Sequence, residues 1–137
     1  MKRNILKIIT ALCAVVLLFS ACGGNAGDVH IPPYESDIYT DAEIADAIDA
    51  AIAYFKAEFS GCTLTEITYI GDDKNEGFRE FAQLYNADDV IVLTSSFDVD
   101  ASGGDGSLNP NSTYDGWSWI MVRSNGGAWR HADHGYG

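Results

Sequence analysis

The sequence predicts an α+β domain in which an N-terminal amphipathic helix packs on a curved antiparallel sheet of about four strands. First, apolar residues recur at helical spacing from Ile44 to Phe59, so that they form one apolar face. Second, the later segments are rich in β-branched and aromatic residues, and the Ser-Asn-Gly-Gly sequence at 124–127 is typical of a hairpin turn. A helix followed by a run of strands favours an antiparallel sheet with the helices on one face.

The helix is predicted to begin near Thr40. Thr40 and Glu43 have the spacing of a capping box, and Asp41 adds negative charge at the positive end of the helix dipole. Gly61 is expected to end the helix in the left-handed conformation that glycine tolerates. The apolar face of the helix consists of Ile44, Ile48, Ala51, Ile52, Phe55 and Phe59.

The segments after the helix are predicted from their composition and from the turn residues between them. In chain order they are a strand over Thr63–Ile70, a turn over 71–75, a short helix containing Phe78, Phe81, Ala82 and Leu84, a long strand over Asp89–Asp100, and a hairpin of Trp117–Arg123 with Ala128–Asp133. The first half of the long strand is apolar at consecutive positions, which predicts burial on both of its faces.

The first 21 residues are predicted to be an export signal. Lys2, Arg3 and Lys7 precede an almost continuous apolar run over residues 8–19. This run is shorter than the roughly 20 residues that a membrane-spanning helix needs, and a basic start followed by a short apolar stretch is typical of secretory signals.

The residues that end this run resemble the lipobox of bacterial lipoprotein signals. Ser20 and Ala21 are small and directly precede Cys22, whereas Phe19 departs from the pattern, which prefers leucine there. The resemblance implies that Cys22 receives a diacylglyceryl group and becomes the mature N-terminus, anchored outside the cytoplasm to the cell membrane. Two acyl chains anchor a protein firmly, whereas one binds reversibly. An uncleaved membrane anchor and a conventionally cleaved signal are the alternatives.

Residues 22–39 are predicted to be a flexible tether, and residues 40–137 a single α+β domain. Cleavage before Cys22 leaves five Lys and Arg residues against 20 Asp and Glu, a formal net charge of −15. Nucleic acid is therefore not expected as a partner, because phosphate binding needs clustered basic side chains. Cys62 is then the only cysteine besides the lipidated one, and we expect a buried thiol and no disulfide within the domain.

The C-terminal sequence resembles that of a bacterial protein family. Trp117–Arg123 and Trp129–Gly137, together with Phe97–Asp100, resemble uncharacterised lipoprotein domains of anaerobic Gram-positive bacteria. Those domains are similar to the cystatin-like or nuclear-transport-factor-2-like fold group, in which a curved antiparallel sheet wraps a helix. The resemblance covers most of residues 40–137 and implies no catalytic residue.

The loop after the long strand resembles the start of a calcium site. Asp98, Asp100, Ser102 and Asp105 offer oxygen atoms from a short glycine-rich segment, and Ca²⁺ prefers such ligands. However, Asn109 stands where a glutamate usually closes a calcium loop, and strands are predicted on both sides of it. The alternative is a solvated loop whose aspartates face water. No other cofactor is expected.

His131, Asp133 and His134 form a second polar cluster. On a regular strand His131 and Asp133 share one face and His134 takes the other. Since zinc needs three or four ligands and a catalytic histidine needs a positioned partner, hydrogen-bonded edge residues are favoured over a metal or acid–base site.

Aromatic residues are dense in the last quarter of the chain. Trp117, Trp119, Met121 and Arg123 are predicted to share one strand face. Such a face is either a ligand-binding platform or part of the core, and packing against the helix is favoured. The other aromatic residues of this region are Tyr114, Trp129 and Tyr136.

The sequence favours a binding or interaction module over an enzyme, because it contains no phosphate-binding glycine loop, nucleophile elbow or paired-histidine helix motif. Two alternatives stay open. One is a small-pocket enzyme of the cystatin-like fold, which a polar group in the cavity of the sheet would favour. The other is a calcium-stabilised structural domain. The sequence does not identify the protein or small-molecule partner.

Overall fold

The computed structural model describes residues 23–136, so the predicted export signal and Cys22 lie outside the described residues. Its elements, in chain order, are α1 (Asp41–Glu58), β1 (Cys62–Tyr69), α2 (Asp72–Glu76), α3 (Phe81–Leu84), β2 (Asp89–Val99), β3 (Thr113–Arg123) and β4 (Arg130–Gly135). The four strands form one antiparallel sheet in the order β1-β2-β3-β4. The predicted α+β class is confirmed. In the described part of the chain, no helix has the length and apolar character to span a membrane.

The predicted capping box begins α1. The Thr40 hydroxyl accepts a hydrogen bond from the Glu43 amide at 3.1 Å, and the Glu43 carboxylate accepts one from the Thr40 amide at 3.0 Å. The second carboxylate oxygen of Glu43 pairs with Arg123 of β3, which also binds Asp89 of β2. The cap therefore joins the start of α1 to the sheet. The helix ends at Glu58, and Gly61 adopts the predicted left-handed conformation with φ +74°.

The main core lies between α1 and one face of the sheet. The helix contributes Ile44, Ile48, Ala51 and Phe55, and the strands contribute Leu64, Ile67, Ile91, Leu93, Phe97, Trp119 and Met121. All of these side chains are almost completely excluded from solvent. The predicted apolar face of α1 is therefore confirmed, with Ile52 half-buried at its margin.

A second, smaller core covers the opposite face of the sheet, which corrects the prediction that all helices lie on one face. Val90, Val92, Ile120 and Val122 are buried there beneath the segment that contains α2 and α3. The consecutive apolar residues of β2 are thus buried on both faces, as predicted. Because β2 and β3 both carry valine or isoleucine on this face, the short helices are needed to cover it.

The turn predicted over residues 71–75 is wrong, because residues 72–75 belong to the short helix α2. Asn75 in this helix is buried, and its amide donates to the Val90 carbonyl at 3.1 Å and accepts from the Val92 amide at 2.7 Å. These backbone groups of β2 lie where β1 comes to its end. The Asn75 side chain therefore makes the hydrogen bonds to β2 that a longer β1 would make. No local sequence pattern around Asn75 indicates this role.

Three of the strands contain a β-bulge. The register shows one extra residue in each case: Thr65 in β1, Gly116 in β3 and Ala132 in β4. An extra residue resets the alternation of side chains, so that residues on either side of the bulge come to the same face. Leu64 and Ile67 illustrate this effect, since both are buried against α1.

An N-terminal arm, residues 23–34, follows the outer edge of β1, where the sequence predicts a flexible tether. Asn25 and His30 form parallel bridges with Thr63 and Glu66. The arm begins in close contact with α1, since the Gly24 amide donates to the Lys56 carbonyl at 2.9 Å. A Cβ atom on Gly24 would lie 2.7 Å from a carbonyl oxygen of the helix, so the close approach requires glycine.

Candidate functional site

A half-open pocket of about 250 Å³ lies at the C-terminal end of α1. Its other walls come from the loop between β2 and β3 and from the strands β3 and β4. The aromatic part of its lining consists of Tyr54, Phe59, Trp117 and His134, and the polar part of Glu58, Ser60, Asp105 and Ser107. Cys62, Gly104 and Leu108 complete the lining.

Two β-bulges place the aromatic side chains of the pocket region. Gly116 adopts φ +68°, and this extra residue brings Tyr114 and Trp117 to the face of β3 that packs against α1. Tyr114 stacks on Phe97 with 5.2 Å between ring centroids, and Trp117 meets the same ring edge-on at 5.4 Å. A glycine within a strand pattern is a signal for such a bulge, and the Asp115-Gly116 pair carries it in this chain.

The bulge at Ala132 corrects the predicted faces of the histidine cluster. His131 and His134 lie on the same face, toward α1, because the extra residue between them shifts the alternation. Asp133 lies on the opposite face, where it accepts a hydrogen bond from the Tyr85 hydroxyl at 3.2 Å. The prediction that His131 shares a face with Asp133 is therefore wrong.

His131 and His134 form a hydrogen-bonded pair, which we call the histidine pair. Nε2 of His131 lies 2.9 Å from Nδ1 of His134, and His131 stacks on Tyr54 with 3.6 Å between ring centroids. Burial lowers the pKa of His131 to about 4, with a contribution from the neighbouring His134. Burial also lowers the pKa of His134, although Asp133 opposes this change. Both rings are consequently neutral at pH 7.

The predicted calcium residues hydrogen-bond to hydroxyl groups of the chain. Asp98 accepts from the Thr113 hydroxyl at 2.7 Å, and Asp100 accepts from the hydroxyl and the amide of Ser102. Asp105 accepts from Ser107 in the same way, and in both turns this bonding lowers the pKa of the aspartate. Within residues 23–136, no group of three or more His, Cys, Asp or Glu residues has the geometry to hold a metal. Calcium binding stays a prediction.

The three tryptophans have different environments. Trp119 is fully buried, and its Nε1 donates to the Ser95 hydroxyl at 2.7 Å. Trp129 is also in the core, where Arg123 lies 4.3 Å from the centre of its ring. The favoured core packing is confirmed for these two residues. Trp117 is half-buried at the wall of the pocket, and its buried Nε1 has no hydrogen-bond acceptor in the described part of the chain.

Cys62 is buried beside the pocket, as predicted for this thiol. Burial raises its pKa, and the negative charges of Asp100 and Asp105 raise it further. Burial and the charge of Glu58 likewise raise the pKa of Tyr54. The charged side chains of the described lining, Glu58 and Asp105, are both acidic. No lysine or arginine among residues 23–136 belongs to the lining.

The sequence did not predict the part of the pocket that α1 provides. Tyr54, Glu58 and Phe59 lie in or next to the last turn of the helix, and only Phe59 belongs to the predicted apolar face. Tyr54 precedes Phe55 and flanks that face, so it reaches the pocket while Phe55 fills the core. The sequence signal for this part of the pocket was the presence of two aromatic residues, Tyr54 and Phe59, near the end of the helix. Such a pair is also common in a core, so it indicates a pocket only weakly.

Comparison with known proteins identifies no relative: no family model, curated protein or solved structure matches the chain. The resemblance to lipoprotein domains of the cystatin-like or nuclear-transport-factor-2-like group stays a prediction. Evidence for the function comes from the geometry and chemistry of the pocket.

Proposed function

We propose that this chain is a lipid-anchored extracytoplasmic binding module whose pocket at the end of α1 takes a small ligand or a single side chain of a larger partner. The observation that carries this proposal is an aromatic wall, built from Tyr54, Phe59, Trp117 and His134, beside a few polar groups. Ligand pockets are typically concave and largely apolar, with a small number of polar groups that orient the ligand. The volume of about 250 Å³ lies just below the usual range and favours a compact ligand.

The hydrogen bonding around the pocket favours binding over catalysis. His134 pairs with His131, and the Ser107 hydroxyl donates to Asp105. The pKa of Cys62 is raised, which disfavours the reactive thiolate. An activated nucleophile needs an effective base within hydrogen-bond reach. The Ser107 hydroxyl bonds to Asp105, but this carboxylate is exposed and its pKa is lowered, so it is a weak base. His134 in the pocket wall is nevertheless the feature that favours a small-pocket enzyme as second candidate, with His134 as general base.

The position of the N-terminal arm supports the proposed anchoring at this end of the molecule. Gly23 and Gly24 contact the last turns of α1, and the pocket is lined by Glu58 and Phe59 at the end of the same helix. A lipid on Cys22 would therefore hold the pocket near the membrane surface. A small ligand of the cell envelope, or the exposed group of a membrane component, has direct access to such a position.

A ligand screen on the full-length protein in an uncharged detergent tests the binding function. Melting is followed by tryptophan fluorescence with amines, carboxylates, phosphates, sugars and amino acids, since a ligand that binds the folded state raises the melting temperature. The matched variants are Ser60→Phe, which fills the pocket, and Ser124→Phe in the exposed hairpin turn. We expect at least one compound to stabilise the wild type and Ser124→Phe but not Ser60→Phe. If no compound of any class does so, the proposal is wrong.

A further inference from the structure

We infer that the pocket selects an organic cation, in the form of a compact alkylammonium group. This inference rests on the proposed binding function and adds the chemical class of the ligand. Two features of the geometry carry it, the aromatic wall and the charged side chains around the pocket, and a third, the neutral state of its histidine, supports it.

The first feature is the arrangement of the rings. The centroids of Phe59, Trp117 and His134 lie 5.1 to 6.3 Å apart from one another, and Tyr54 is the fourth ring of the lining. These distances are those of rings in mutual contact, so the three rings form one continuous wall. Cations are attracted to the faces of aromatic rings, most strongly to tryptophan, and an ammonium group can bind against such a wall. His131 covers one face of Tyr54, so a cation has at most the other face of this ring to contact.

The second feature is the sign of the charges. Glu58 and Asp105 line the pocket, and Asp100 lies near enough to act on the adjacent Cys62. Lys56 is the nearest basic residue along α1, and it is not part of the lining. An anion would meet two carboxylates without a compensating cation, whereas an ammonium group would be attracted by them.

The third feature is the neutral histidine pair. Because burial keeps His131 and His134 unprotonated at pH 7, the ring of His134 adds no positive charge to the wall. A neutral sugar also stacks on aromatic rings, but it gains nothing from the carboxylates. The Ser107 hydroxyl, which would be a hydrogen-bond donor for a sugar, is already bound to Asp105.

The test compares two probes of the same shape by isothermal titration calorimetry on the full-length protein in maltoside detergent at low salt. Choline carries the trimethylammonium group, and 3,3-dimethyl-1-butanol has an uncharged carbon in place of the nitrogen. We expect saturable one-to-one binding of choline and an affinity for the alcohol that is lower by about tenfold or more. Equal affinities, or no saturable binding of choline, would overturn the inference.

Two isosteric variants test the charge. Glu58→Gln is expected to weaken choline binding about two- to fivefold, because Glu58 is exposed and partly screened. The binding of the alcohol should not change. Glu80→Gln removes the same charge from the residue that precedes α3, outside the lining of this pocket, and should leave both affinities unchanged. An equal effect of the two variants on choline binding would contradict the role of Glu58.

Two further variants test the rings, and circular dichroism checks that each is folded. Tyr54→Leu and Trp117→Leu are each expected to weaken choline binding about fivefold or more, because a leucine cannot attract a cation. The Tyr54 variant keeps the test valid if the replacement of Trp117 disturbs the packing with Phe97. Unchanged choline affinity in a folded variant of either position would overturn the aromatic contribution.

The source of the cation is distinguished by a third probe, phosphocholine, which carries the headgroup of a choline lipid. A preference for choline over phosphocholine assigns a free cation, and the reverse preference assigns a lipid headgroup; both results support the inference. If instead the screen identifies a sugar or an anion that Ser60→Phe no longer binds, the binding function stands and the choice of a cation is wrong.

Discussion

At the scale of single residues, the histidine pair shows how burial sets a charge state. His131 stacks on Tyr54 and hydrogen-bonds to His134, and it is partly withdrawn from water. A protonated ring in this place would lose hydration, and the two rings, whose nitrogen atoms lie 2.9 Å apart, would repel each other if both were protonated. The histidine pair is therefore neutral in the folded state, and protonation of the pair lowers the stability of that state.

This coupling predicts that the protein loses stability as the pH falls from about 6.5 to about 4. The unfolded chain binds a proton at His131 near pH 6.5, whereas the folded chain does so only near pH 4, so acid favours unfolding in this window. His131→Phe keeps a ring on Tyr54 and removes the titration. Melting temperatures measured by tryptophan fluorescence in half-unit pH steps should fall less steeply for this variant than for the wild type. Identical slopes would contradict the prediction.

Cys22 provides the second prediction at this scale. Cys22→Ser removes the thiol to which the lipid would be attached, so we expect an uncleaved precursor or release of the domain from the membrane. Membrane fractionation and the mass of the purified protein measure both effects. Cys62→Ser is the matched control and should leave processing unchanged. Normal processing and attachment of the Cys22 variant would refute the lipid anchor.

At the scale of single elements, the ends of α1 and the bulges of the strands decide the geometry of the site. The capping box begins the helix and is joined to the sheet through Glu43 and Arg123. Hydrogen bonds from Thr40 and Arg123 lower the pKa of the Glu43 carboxyl, which is consistent with this bonding. At its other end, the same helix supplies Tyr54 to the pocket, and Phe59, the residue that follows the helix, also lines it.

Thr40→Ala is expected to lower the free energy of unfolding by about 1 kcal/mol, because the Glu43 amide loses its acceptor. Thr40→Ser keeps a hydroxyl at the cap and should change the stability by only a few tenths of this value, about 0.3 kcal/mol or less. Urea denaturation of both variants measures the difference. If the two substitutions cost the same, the hydroxyl does not cap the helix.

Gly116 tests the bulge in β3. At φ +68°, Gly116→Ala places a Cβ in the left-handed region, and we expect a loss of about 1 to 2 kcal/mol. Gly77 at φ −64° is the matched control, since alanine is compatible with that conformation and should be neutral or slightly stabilising. Urea denaturation compares the two variants, and near-ultraviolet circular dichroism reports whether the packing around Trp117 changes. Equal losses at both glycines would contradict the role of the bulge.

At the scale of the whole molecule, the N-terminal arm and the sheet form one structure. The arm satisfies backbone groups along the outer edge of β1, where an open strand edge would otherwise be exposed. The arm begins at the end of α1, where Gly24 lies against Phe59 of the pocket lining. The start of the described chain and the candidate site are consequently close together, although the sequence places them in separate segments.

His30→Pro tests whether the arm contributes to stability. Proline has no amide proton, so the hydrogen bond from residue 30 to the Thr65 carbonyl, 2.9 Å in length, is lost. We expect a decrease of about 1 kcal/mol in the free energy of unfolding and faster hydrogen exchange at the Ile67 amide, which donates to the carbonyl of residue 30. His30→Ala retains the backbone bonds and should resemble the wild type. Equal behaviour of the two variants would indicate a free tether.

Much of the fold was predictable from the sequence. The capping box, the apolar face of α1 and the turn at 124–127 are local patterns, and each of them predicted an element that is present. The strand β3 begins at Thr113, four residues before its predicted start. The prediction missed these residues because the extra residue Gly116 interrupts the alternation of side chains within the strand. The helix α2 was missed, since Asn75 is fixed by its bonds to β2 and not by its neighbours in the chain.

The candidate site was predictable only in part. Trp117 and His134 were considered for their chemistry, but His131 was assigned to the same face as Asp133. Whether a strand contains an extra residue depends on its pairing with the neighbouring strand, and that pairing involves residues far apart in the chain. The contribution of Tyr54 was not found for another reason: it flanks the apolar face of α1, and only the tertiary packing places it in the pocket wall.

The sequence by itself determined the α+β class, the long helix with its cap and the four strands, because these depend on periodicity and turn residues within short segments. It also determined the strongly acidic composition, which makes nucleic acid an unexpected partner. Only the tertiary structure decided which side chains meet at the pocket. A single extra residue at Gly116 or Ala132 changes the face on which its neighbours lie, and the arm takes its place through backbone bonds that carry no sequence signal.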